Sequence, residues 1–109
     1  MTDVTRVASV IHLAPESVEE YERLHAAVWP AVLEQISGSN IRNYSIYRYG
    51  LLLFSYFEYT GDDMAADMAA MGDDPTTQEW WAVCKPLQRP VDEVADGEWW
   101  HEIPEIFHH

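Results

Sequence analysis

A chain of 109 residues, 48% hydrophobic and 13% aromatic, is long enough to bury one core and too apolar to stay disordered. Its 6 basic and 19 acidic side chains leave a formal charge of −13, a field that repels nucleic acid backbones and anionic lipid, so neither is expected as a partner. The lone Cys84 excludes an internal disulfide and, with no signal-like segment at the start, points to a reducing cytoplasm.

Residues 4–13, "VTRVASVIHL", alternate as a strand, with Val7, Ile11 and Leu13 on one face and Ser9 between them. The following "APESVEEYERLHAAVWPAVLEQISGSN" reads as a helix. Ser17 and Glu20 have capping-box spacing, Gly38 is a natural stop, and Pro30 predicts a kink just after Trp29. At about 100° per residue, Val18, Tyr21, His25, Val28, Val32 and Ile36 share one stripe, which puts His25 in the middle of the buried face.

"IRNYSIYRYG" and "LLLFSYFEY" form an antiparallel hairpin joined at Gly50. "GDDMAADMAAMGDD" is a short acidic helix, and "DPTTQEWWAVCKPL" is a second one, with Asp74 as N-cap and Pro75 in its first turn. "QRPVDEVADG" reads as a polar connection, and "EWWHEIPEIFHH" as a final strand with Trp99 and Trp100 on opposite sides. The order β-α-β-β-α-β is the ferredoxin-like α+β pattern in a single domain, 1–109. Its helix-free face, carrying part of the aromatic load, is best covered by a second copy of the chain.

Three groups of residues can carry chemistry. Tyr21 and His25, one helical turn apart, can touch one small molecule together, the imidazole exchanging a proton and the phenol donating a hydrogen bond. A histidine there can equally be a hydrogen-bonded core residue. Trp80 and Trp81 diverge around their helix, so one enters the core while the other can wall a cleft; bulk core filling is the plainer alternative. The hairpin tyrosines, Tyr44 among them, offer hydroxyls but also pair well across strands. The five histidines and one cysteine have no metal-ligand spacing, so no metal is expected.

"EEYERLHAAVWP", "NYSIY", "WW" and "EIFH" fall in order across nearly the whole chain, and together they resemble the L-rhamnose mutarotase family. The resemblance implies a cofactor-free enzyme of sugar catabolism with a ferredoxin-like fold, whose dimer closes two sheets into a barrel. It places the family's proton-donating histidine on His25 and its sugar-contacting residues on Tyr21, Tyr44, Trp80 and Trp81. Ala31 stands where the family commonly carries an acid, and "TGDDMAADMAAMGDDP" is unusually acidic, departures that bear on which sugar is used.

Mutarotation of an aldose removes a proton from the anomeric hydroxyl and delivers one to the ring oxygen, so one acid/base histidine with a hydroxyl partner suffices. The expected substrate is a small neutral monosaccharide, L-rhamnose or a related deoxy-aldose such as L-fucose. Two alternatives fit the same fold: a cofactor-independent monooxygenase with a greasy aromatic pocket, and a non-catalytic sugar-binding module.

Overall fold

The structure is a computed structural model that describes residues 3–109. Its frame is an antiparallel sheet built on β1 (Thr5–Leu13), β2 (Ile41–Tyr49) and β3 (Leu52–Tyr59), in the order β2-β3-β1, with β4 (Gln88–Arg89) and β5 (His101–Ile103) sharing the other edge of β1. This is the ferredoxin-like arrangement, with the last strand split in two.

The two-residue alternation of β1 sends Val7, Ser9, Ile11 and Leu13 to one face, where all four are buried. Phe57, Ser55 and Leu53 of β3 stand opposite the first three. Helices cover this face: Tyr21, Val32, Trp80 and Cys84 pack with Ile11, Leu13 and Leu53 into the core. Each Ile or Leu fully removed from water there contributes roughly 1.5–3 kcal/mol.

The hairpin closes on Gly50, whose φ of +59° is the left-handed conformation that a tight turn needs. Its strands are not in simple register. Arg42 faces Glu58 and Ser45 faces Tyr56, so two residues, Asn43 and Tyr44, oppose the single Phe57. Asn43 takes a φ of 53° at this bulge. The extra residue lets Ile41 and Ile46, an odd number of positions apart, both face the helices, and it brings Tyr44 against Phe57 with ring centroids 5.8 Å apart.

Four sequence expectations need correction. The expected kinked helix is two helices, α1 (Val18–His25) and α2 (Pro30–Gly38). The residue before a proline is pushed out of the helical region, and Trp29 is accordingly extended, with ψ 132°, so the chain breaks and restarts with Pro30 in the first turn. Ser17 makes no side-chain cap, and Glu20 instead pairs with Arg23 at the surface. Gly38 is still helical; the left-handed residue that turns the chain into β2 is Asn40, φ 66°.

The fourth correction concerns the C-terminal segment. Gln88 and Arg89, expected in a connection, pair with Leu13 and His12 of β1. Residues 90–100 then leave the sheet, and only His101–Ile103 return, opposite Val10 to Ala8. Trp99 and Trp100 therefore lie ahead of β5 and not in it, and both pack against the core on the helix-covered side. Glu98 fastens the return: its carboxylate accepts from His101 Nδ1 at 2.9 Å and from the backbone N–H groups of Ala95 and Glu102. The His101 bond and those two amides hold Glu98 at about 2, well below the usual carboxylate range.

Helix α4 (Pro75–Cys84) starts as expected on Asp74, and α3 (Met64–Asp73) starts on Asp63; the side chains of Asp74 and Asp63 accept from Thr77 and Ala66 N–H respectively. Among the described residues no helix is long and apolar enough to cross a membrane.

Candidate functional site

A cavity of about 320 Å³ opens between the sheet and the helices. That is near the lower end of the range for small-molecule sites, about 300–1,000 Å³. All five residues singled out in the sequence line it: Tyr21 and His25 from α1, Tyr44 from the bulge in β2, Trp80 and Trp81 from α4.

The break after α1 sets the position of His25. As the last residue of α1 it is half-buried at the cavity wall, not sealed in the middle of a helix face as the stripe predicted. Its ring lies on Tyr21, centroids 4.1 Å apart and planes 21° from parallel, and meets the edge of Trp80 at 5.2 Å. Nδ1 sits 2.9 Å from the Tyr21 carbonyl oxygen. A carbonyl can only accept, so this geometry assigns the proton to Nδ1 and leaves the Nε2 lone pair free in the neutral ring. Burial lowers the His25 pKa from its ordinary value, a shift partly opposed by that hydrogen bond, so the imidazole is neutral at pH 7.

The phenols are also tuned by burial. Tyr21 is pushed far up, so it stays protonated and acts as a hydrogen-bond donor or acceptor, not as a phenolate. Tyr44 is 42% exposed and lines the cavity, and desolvation of its phenol raises it to about 12. The Cys84 thiol is raised to about 11 by burial, which makes it a poor nucleophile.

Trp80 and Trp81 divide as helical neighbours should. Trp80 is only 7% exposed and wedges between His25 and Trp29, while Trp81 stands half-buried with Lys85 Nζ 5.6 Å from its ring. Lys85 also lies 5.5 Å from Trp99, which links α4 to the 90–100 excursion.

Among the lining residues that sequence reasoning missed are Gln88, Trp99 and Trp100. Gln88 is buried, and it hydrogen-bonds both the Tyr21 hydroxyl and the Trp99 indole. The two adjacent tryptophans carried a usable signal, but a strand reading sent one of them to the wrong side. Among the described residues no three His, Cys, Asp or Glu side chains come together as a metal ion would need.

An α+β ferredoxin-like chain with a compact aromatic pocket and a neutral, half-buried histidine on its wall belongs among the α+β barrel proteins. The family model described as "L-rhamnose mutarotase" matches residues 6–109. An L-rhamnose mutarotase of Phocaeicola vulgatus is 30% identical over 105 residues, covering 94% of this chain and 96% of that one. The crystal structure of an L-rhamnose mutarotase from Formosa agariphila superposes with a TM-score of 0.74 at 18% identity, over 96% of this chain and 98% of that one. Tetracenomycin F2 cyclase of Streptomyces glaucescens, a polyketide cyclase, shares the fold with a TM-score of 0.69 at 15% identity and the same coverage. The chain belongs to the L-rhamnose mutarotase family, and it is an isomerase.

Proposed function

We propose that this protein interconverts the α and β anomers of L-rhamnose, or of a related deoxy-aldose such as L-fucose, by general acid/base catalysis at His25. The observation that carries the reading is the Nδ1 to Tyr21 carbonyl bond, which leaves Nε2 as a base on the wall of an aromatic pocket. In this mechanism Nε2 takes the proton of the anomeric hydroxyl as the ring C–O bond breaks, and the ring oxygen is protonated. Both oxygens are bonded to the anomeric carbon, so one imidazole reaches either and can return the same proton. The C1–C2 bond of the open aldehyde then rotates, and closure on the other face reverses the transfers.

Tyr21 supplies a hydrogen bond to the sugar in this reading. Tyr44 offers a second hydroxyl, and the faces of Trp80 and Trp81 pack on the apolar C–H faces of the ring. The reaction needs only general acid–base help, typically about 10²–10⁴-fold, so the site is expected to work without metal or cofactor. The test is exchange NMR on L-rhamnose, L-fucose and other aldoses. Accelerated anomer exchange above the buffer rate is expected for L-rhamnose or L-fucose. No acceleration with any aldose would overturn the reading, and oxygen consumption with an aromatic compound would favour a monooxygenase.

We infer a homodimer from the helix-free sheet face. Tyr47 and Phe54 stand opposite each other there, 66% and 39% exposed, and beside them Val10 pairs with Phe54. A patch of this kind is rarely left in water. Light scattering should give twice the chain mass at micromolar concentration, and a monomer would count against the barrel. The chain as one domain, and a reducing cytoplasm as its home, complete the reading.

A further inference from the structure

Gln88 lies in a strand of two residues, buried, between the Trp99 indole and the Tyr21 hydroxyl. The Trp99 indole Nε1 is 2.7 Å from Gln88 Oε1. An indole N–H can only donate, so the amide oxygen must face Trp99 and the NH₂ must face the other way. The NH₂ is 3.1 Å from the Tyr21 hydroxyl oxygen and donates to it. Tyr21 thus accepts from Gln88 and keeps its own proton to give elsewhere. Among the described residues no protein acceptor takes that proton, and the hydroxyl belongs to a side chain of the cavity wall.

We propose that Gln88 is a positioning residue: through the Trp99–Gln88–Tyr21 chain it fixes the direction of the Tyr21 hydroxyl, so that its proton is presented to the sugar. The inference rests on the reading of Tyr21 as a donor to the substrate. It assigns a task to the 90–100 excursion as well. Trp99 reaches Gln88 because the chain leaves the sheet after Arg89 and returns only at His101.

The decisive variant is Gln88→Glu. It is isosteric, and a carboxylate still accepts from Trp99, but at Tyr21 it can only accept as well. The phenol then turns to donate to residue 88 and is lost to the sugar. Anomer exchange should fall about three- to tenfold, the worth of one neutral hydrogen bond, and should match Tyr21→Phe. Adding Gln88→Glu to Tyr21→Phe should cost nothing more, because the group being turned is already gone. As pH falls and the carboxyl gains a proton, it can donate again, so the ratio of variant to wild-type rate should climb.

Should a buried carboxylate prevent folding, Gln88→Met, which neither donates nor accepts, takes its place with the same non-additivity expected. If Gln88→Glu slows Tyr21→Phe by the factor it slows the wild type, or leaves the wild type unslowed, the positioning role is overturned and the Tyr21 reading survives. If Tyr21→Phe itself exchanges sugar at the full rate, the reading of Tyr21 falls, and this inference with it.

Discussion

His25→Ala should fold and should lose about 10²–10⁴-fold in anomer exchange, the usual worth of a positioned acid/base group. The substitution falls at the last residue of α1, half-buried and facing the cavity, so the core keeps its packing and the void opens onto space already open. It also removes the one group whose Nε2 is free to move a proton there. Exchange measured by NMR per mole of folded protein checks this, and an undiminished rate would return His25 to a packing role.

The pH profile provides an independent check on the same residue. Burial lowers the His25 pKa, so the acid limb of exchange should lie below the ordinary imidazole value of about 6.5. Stability carries the same signature with a definite sign. Between the lowered folded value and the unfolded one, the unfolded chain binds more protons, so stability falls as pH drops through that window and levels off beneath it. His25→Ala should abolish that slope.

Trp80→Ala should produce the largest loss of stability, about 3–5 kcal/mol for a buried aromatic. Trp80 is nearly closed from solvent and holds edge contacts with Trp29 at 5.1 Å and His25 at 5.2 Å, so no neighbour can collapse into its space without moving the site. Such a loss consumes much of the roughly 5–15 kcal/mol that keeps a domain folded. Thermal unfolding should show a Tm lower by tens of degrees. Trp81→Ala should behave otherwise: half-buried, it should cost less stability but weaken sugar binding, seen as a smaller change in tryptophan fluorescence on adding sugar. Equal Tm losses for the two variants would contradict this division of labour.

What could be read in advance follows the range over which each feature is encoded. Tyr21 and His25 are visible because a helix writes its faces at short spacing, and Trp80–Trp81 because adjacent helical residues must diverge. The alternation of β1 was equally plain. The bulge at Asn43 was written too, in the odd spacing of Ile41 and Ile46, but only a known partner strand turns that oddity into two residues facing Phe57. Gln88 was out of reach for a physical reason. A strand of two residues has no period, and it exists because Leu13 and His12 offer it an edge. Its place beside Tyr21 is a property of the folded chain.

That dependence has a consequence for how the molecule comes into being. One edge of β1 is closed by β3, but the other is closed by pairings that run from His12 to Arg89 and from Val10 to His101. During synthesis, β1 emerges early and keeps an open row of backbone donors and acceptors until residues 88–103 have left the ribosome. Contacts this distant in sequence form slowly, and an unpaired strand is a template for foreign chains. The nascent protein is therefore most exposed to aggregation just before its aromatic pocket can close, and any agent that masks the edge of β1 in that interval should raise the yield of active enzyme.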